Sequence, residues 1–242
     1  MRARTKTLDA GRDAGFGEYH VSLPSSDRVP RLFILSPAHC GGRRAKQALA
    51  PGAAFPLAEG LRSRAGVPLG DLFSFVSGLY FRGKLTYARR FVLPPLDEGT
   101  RGNAVVGDGI YIITPTAGLR TPETPVTERA VREFACGDID LGNAAYRRPL
   151  EASAEALARE IGDAQVVLLG SIASPKYVDI LLGIFGTRLL FPAEFVGRGD
   201  MSRGGLLLRR AAEGVELDYI PVAGAARRGT RPPRLPPLCL AR

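Results

Sequence analysis

Small hydroxyl residues, glycines and cations recur after three apolar runs of this sequence. Ser36, His39, Cys40, Gly41, Gly42 and Arg43 follow the first run, Thr114 and Thr116 the second, and Ser171, Ser174 and Lys176 the third. Backbone N–H groups bared by glycine at a helix entrance, together with the helix dipole, favour negative charge, so such loops suit a phosphate or another anion. On that ground Ser36, Gly41, Gly42, Arg43, Thr114, Thr116, Ser171 and Lys176 are candidate phosphate or ligand contacts. The plainer alternative is that the hydroxyls only cap helices and the glycines only turn the chain. His39 and Cys40 bring an imidazole and a thiol together in sequence, as a nucleophile and its base require. Neighbours on an extended loop point apart, however, so His39 is the stronger candidate, for ligand contact or general acid/base work. His20 lies in the N-terminal stretch and is expected at the surface.

Two other segments carry chemistry. Phe191 to Gly205 (FPAEFVGRGDMSRGG) places Glu194, Arg198, Asp200, Ser202 and Arg203 in a glycine-rich loop ahead of an expected helix from Leu206 to Ala212. Arg198 and Arg203 could close over an anion, Ser202 could cap the helix, and Glu194 or Asp200 could serve as general base. The alternative there is an internal network of ion pairs. Ser77 to Arg90 (SGLYFRGKLTYARR) sets Arg82, Lys84, Arg89 and Arg90 around Tyr80, Phe81 and Tyr87. Cations interleaved with aromatics match phosphate contact plus base stacking, which makes Tyr80, Arg82, Lys84, Arg89 and Arg90 candidate nucleic-acid contacts. The alternative is a pair of amphipathic helices with aromatics inward and cations outward. Asp138 and Asp140 supply two carboxylates, too few oxygens for a hard cation, and read as a turn.

Composition narrows the classes. The chain has 242 residues, with Lys and Arg numbering 33 against 24 Asp and Glu, for a net charge of +9. A polyanion is therefore the first candidate partner. From Ser36 to Val92 nine basic residues face two acidic ones. No apolar run reaches the ~18 residues of a membrane span, so no membrane partner is expected. Two histidines leave little for a metal site, and no metal or other cofactor is expected. GxxxxGK[ST] is absent, and Gly197 to Gly205 misses the GxGxxG spacing, which disfavours ATP hydrolysis and NAD chemistry. Cys40, Cys136 and Cys239 are odd in number and far apart, as in a reducing compartment. The first 30 residues mix five basic with four acidic residues and lack the apolar centre of a secretory signal, so a cytoplasmic location is expected.

The elements that must position these residues follow from periodicity. RLFILS (31–36), GIYIIT (109–114) and QVVLLG (165–170) are short continuous apolar runs of the kind a parallel sheet buries on both faces. ELDYIPV (216–222) is a weaker fourth strand, placed at an edge by Pro221. Helices are expected at 151–161, from Pro175 behind Ser174 to about Gly186, at 128–135, and once or twice within 72–91, broken near Gly78 or Gly83. Alternation of this kind predicts an α/β fold, a mostly parallel, doubly wound (Rossmann-like) sheet with helices on both faces. The expected organisation is an N-terminal extension over 1–30, one α/β domain over 31–220 and a basic tail over 221–242. That tail holds five arginines, five prolines and no acidic residue, and its composition predicts little packing.

Three short elements carry a family resemblance. LSPA at Leu35 to Ala38, the Leu-Tyr-x-x-Gly element at Leu79 to Gly83, and TPTAGL within Ile112 to Leu119 resemble, in type and order, motifs of the YaaA peroxide-stress family. The resemblance covers about a third of the chain, and has His39 where that family has a lysine after SPA. It implies an intracellular α/β protein that binds nucleic acid and assigns no activity. Taken together, the expected function is nucleic-acid or nucleotide binding, with the strand-end loops holding phosphate or base. Processing of a nucleobase or glycosidic bond by a hydrolase or transferase is a sub-hypothesis, with Glu194 or Asp200 as base. The alternatives are an enzyme acting on a small phosphorylated metabolite and a non-catalytic module that meets an acidic protein.

Overall fold

The computed structural model describes residues 29–95 and 107–235. The N-terminal stretch with His20, and Cys239 with the end of the tail, lie outside the described residues. The chain opens with strand β1 (Arg31–Leu35), then α1 (Arg43–Ala48), α2 (Pro56–Arg62), a two-residue β2 (Val67–Pro68), α3 (Leu69–Ser77) and α4 (Leu79–Phe91). There follow β3 (Ile110–Thr114), β4 (Gly118–Arg120), β5 (Pro125–Val126), α5 (Glu128–Cys136) and α6 (Ala144–Glu160). The last elements are β6 (Gln165–Leu169), α7 (Pro175–Phe185), β7 (Leu189–Pro192), α8 (Asp200–Glu213) and β8 (Tyr219–Pro221).

Six strands form one sheet in the order β4-β3-β1-β6-β7-β8. β1 is central and parallel to β3 on one side and β6 on the other; β6 is parallel to β7. The two outer strands, β4 and β8, run antiparallel and close the edges. Pro221 sits in edge strand β8, where a missing N–H costs the ladder nothing. The continuous apolar runs are explained by burial: Leu32 to Leu35 and Val166 to Leu169 are all fully enclosed. A second, two-stranded sheet pairs β2 with β5.

Several boundaries differ from the expectations. The 72–91 segment does break at Gly78, whose φ of 64° lies where a side chain is strained, so α3 and α4 meet at a sharp corner. α6 begins at Ala144, seven residues before the expected start, because Asn143 caps it by accepting from the Ala145 N–H and Pro149 is tolerated within it. Leu189–Pro192 is a buried strand rather than the approach to a loop. α8 starts at Asp200, with Gly199 as its cap, so Asp200, Ser202 and Arg203 are helical and Ser202 caps nothing.

That early start has a packing cause. A Cβ at Gly83 would lie 2.7 Å from the Gly204 carbonyl oxygen, and one at Gly204 would lie 2.8 Å from the Tyr80 Cα. Helices α4 and α8 thus touch backbone to backbone, which only glycine permits. The residues after β8 also differ from an unpacked tail. Arg227 pairs with Asp179 at 3.0 Å, Thr230 lies against Gly197, and Leu235 packs on the core.

Candidate functional site

The carboxyl ends of β1 and β6 carry a buried polar cluster. Ser36 directly follows β1 and is 6% exposed; Lys84, from the second turn of α4, is 1% exposed. The Lys84 Nζ donates to the Ser36 carbonyl at 2.6 Å and lies 2.9 Å from the Ser36 Oγ. It stands 4.6 Å from the centre of the Tyr80 ring and 4.7 Å from that of Phe81. Lys84 has no carboxylate in salt-bridge contact among the described residues; Asp200 is the nearest source of negative charge that affects it, and Arg203 opposes that effect. Burial is the dominant cause, and it lowers the Lys84 ammonium to about 7, where free amine and ammonium coexist at neutral pH.

Three more side chains complete the cluster. Tyr177, on the first turn of α7, donates to the Ser171 carbonyl at 2.9 Å and interacts with the Ser36 hydroxyl. Gly170 lets this happen: a Cβ there would sit 2.8 Å from the Ser36 Cβ and 3.1 Å from the Tyr177 hydroxyl. Arg203, 8% exposed, donates to the Phe195 carbonyl through Nε and Nη2 and pairs with Asp200 at 3.4 Å. The Tyr80 hydroxyl is buried, with the Arg203 guanidinium as a hydrogen-bond donor to it and no acceptor for its own proton among the described residues. The Arg203 guanidinium beside it favours its ionised form without overcoming burial, which pushes its ionisation well above the ordinary range. Tyr146 has a second buried hydroxyl, this one without a hydrogen-bond partner among the described residues, and it senses Tyr177.

The structure sorts the expected contacts. It joins Ser36 and Ser171, whose strands are neighbours, but leaves the other loops apart. Thr114 is fully buried, donates to the Gly118 carbonyl at 2.8 Å and accepts from the Ala117 N–H. It holds the β3–β4 hairpin, and full burial keeps it from a ligand. Thr116 is half-buried in the same hairpin against Gly137. His39 is exposed and its ring lies over Gly41; Cys40 is buried, directs its thiol to the Ala38 carbonyl, and burial pushes that thiol up to about 12. The two make no nucleophile–base pair. Gly42 caps the short α1, with Arg43 exposed beside it, and Lys176 is exposed at the start of α7.

Tyr80 and Lys84 correct the surface reading of α4. Both face inward, so neither can meet a nucleic-acid backbone, whereas Arg82, Arg89 and Arg90 are exposed. Arg89 pairs with Glu123 at 3.1 Å. The carboxylates proposed as bases are held by arginines. Glu194 is exposed against Arg210 at 3.6 Å, and Asp200, 68% exposed at the side chain, is held by Arg203. Arg198 donates to the Glu194 carbonyl and to the Ser202 Oγ. Sequence reasoning missed the Lys84–Ser36 pair, Tyr177 and Gly170. The available signal for Lys84 was its place four residues after Tyr80, on the apolar face of α4.

A second feature is a cleft of about 390 Å3 beside α8. Arg198, Ser202 and Arg209 line one wall and Arg231, Pro233 and Arg234 the other, with no carboxylate among the described lining residues. A separate groove brings Arg82, Thr86 and Arg89 of α4 and Asp71 of α3 to Leu208 of α8. No family model, no curated protein and no solved structure matches this chain.

Proposed function

We propose that this protein binds nucleic acid along the α8 face, with the phosphate backbone held in the arginine-lined cleft. The observation that carries the reading is the cleft wall itself: four arginines, Arg198, Arg209, Arg231 and Arg234, drawn from two separate segments, with no acidic residue among the described lining residues. Guanidinium groups match phosphate geometry through paired N–H donors. Arg82 and Arg89 add two cations in a neighbouring groove against α8, where Asp71 and Glu123 partly offset them. The wider reading includes a doubly wound, Rossmann-like arrangement with helices on both faces of the sheet. In such a fold the strand order places the topological switch beside β1, where Ser36 and Gly170 stand. It includes a cytoplasmic location, which the free thiols of Cys40 and Cys136 suit. It also includes kinship with the YaaA peroxide-stress family, since two of the three resembling elements supply Ser36, Tyr80 and the turn before Lys84.

The test is fluorescence anisotropy of labelled single-stranded DNA, duplex DNA and RNA across a salt series, using nuclease-treated protein. Binding should weaken steeply with salt, and Arg209→Ala with Arg231→Ala and Arg234→Ala should flatten the slope by about 2 to 3. An unchanged slope removes the cleft from the reading. Absence of binding at low salt removes nucleic acid altogether and favours a small phosphorylated metabolite.

A further inference from the structure

We propose that Ser36 and Lys84 are a nucleophile and its general base, and that this centre accepts an acyl group from an ester or amide. The proposal goes beyond polyanion binding and does not depend on it. Its first support is the 2.9 Å contact between the Ser36 Oγ and the Lys84 Nζ, with the same Nζ fixed at 2.6 Å by the Ser36 carbonyl. A free amine in this position has an N–H for the carbonyl and a lone pair for the serine proton. Its second support is cost. An ammonium buried without a carboxylate partner is a heavy penalty for holding one serine, and a methionine would fill the same space without it. The third is the Tyr80 hydroxyl, a buried donor without an acceptor among the described residues, on a ring whose centre is 4.6 Å from the Lys84 Nζ and with the Arg203 guanidinium next to it. A donor of that kind close to the general base suits the oxygen that gains charge in acyl transfer.

The step balances within these residues. The Ser36 Oγ–H proton passes to the Lys84 amine as the Oγ forms a bond to the carbonyl carbon. The carbonyl π pair moves onto its oxygen, which the Tyr80 hydroxyl and Arg203 stabilise. Collapse breaks the bond to the leaving oxygen or nitrogen, which takes the proton back from the Lys84 ammonium. Water then cleaves the acyl-serine, with Lys84 again taking and returning the proton. The groups facing Lys84 are Tyr80 on its own helix, Ser36 after β1, Tyr177 on α7 through Ser36, and Arg203 and Asp200 on α8. Burial lowers Lys84 to about 7, so the amine form is available at neutral pH. Ser36, the more exposed of the pair, is the side from which a reagent approaches.

The test is labelling of the full chain with a biotinylated fluorophosphonate, with adduct mapping by mass spectrometry. The expected result is an adduct on Ser36 whose rate rises with pH and levels off above about 7. Lys84→Met should slow it by about 100-fold, and Tyr80→Phe by about 10- to 100-fold with the pH profile unmoved. Circular dichroism establishes that each variant is folded, and Tyr80→Phe keeps the test decisive if Lys84→Met does not fold. No adduct on folded wild-type protein, an adduct elsewhere only, or undiminished labelling of the folded variants would overturn the proposal.

Discussion

Lys84 dominates the chemistry at the scale of single residues because, among the described residues, it is the one buried cation that burial itself can neutralise. Its folded value of about 7 lies below the ordinary 10.5, so between these limits the unfolded chain binds more protons than the native one. Stability therefore rises with pH across that window and is lowest, through this residue, below about 7. The difference is on the order of a few kcal/mol, or roughly 5 to 10 °C in Tm for a chain of this size. Thermal melts at pH 6.5 and 9 should show that rise for the wild type and little of it for Lys84→Met. The tyrosines raised by burial oppose the trend only near pH 10 and above, beyond the pH 9 melt, and the raised Cys40 thiol offsets a small part of it as pH approaches 9. A variant whose melts still rise by the same amount would place the proton uptake elsewhere. Cys40 provides a contrast. Its buried thiol stays protonated to about 12, whereas Cys136 is exposed. A thiol reagent at pH 8 should label Cys136 in the native protein and Cys40 only on unfolding, as mass mapping would reveal.

Helix contacts decide where the site residues stand. Lys84 and Arg203 follow and precede the two glycines at which α4 and α8 meet, so the crossing sets both cations. Gly83→Ala or Gly204→Ala would drive a methyl into backbone at 2.7 to 3.0 Å, and neither helix can give way locally. Each should cost about 1 to 3 kcal/mol in denaturant unfolding and depress any Ser36 labelling along with it. Gly183→Ala, in α7, meets open space and should raise stability by about 0.5 to 1 kcal/mol. Equal effects at all three positions would remove the crossing as their cause. The same contact explains why α8 was read six residues short. Local propensity counts Gly199, Gly204 and Gly205 against a helix, while the gain from close packing is invisible in one chain segment. β7 was hidden for a related reason, since Leu189–Pro192 is short and ends in proline. The three long apolar strands and the break at Gly78 were legible because burial and positive φ each leave a local mark.

Charge acts at the scale of the whole molecule. A net +9 makes a polyanion the expected partner, and the interleaving of cations with aromatics put the expected contact on α4, where two of the five candidates, Tyr80 and Lys84, point inward. Aromatic residues between cations are the apolar face of an amphipathic helix as readily as a stacking platform, and only the packing of α8 distinguishes them. The arginines beside the cleft come from residues 198–209 and 231–234, segments that sequence separates and tertiary structure joins. A chain ending at Ala226 tests that assembly. It loses five arginines and no acidic residue, which takes the net charge from +9 to +4. Among the described residues the lost packing is the half-buried Leu235, the Gly229–Thr230 stretch against Val196 and Gly197, and one exposed ion pair, Arg227 with Asp179, the pair worth at most about 1 kcal/mol. Melting should therefore fall by no more than about 5 °C. The slope of log affinity against log salt should become shallower by about 0.7 to 0.9 for each phosphate contact that Arg231 and Arg234 make. A large stability loss with an unchanged slope would make the segment a structural strap, and would move the polyanion contact to Arg82 and Arg89 of α4.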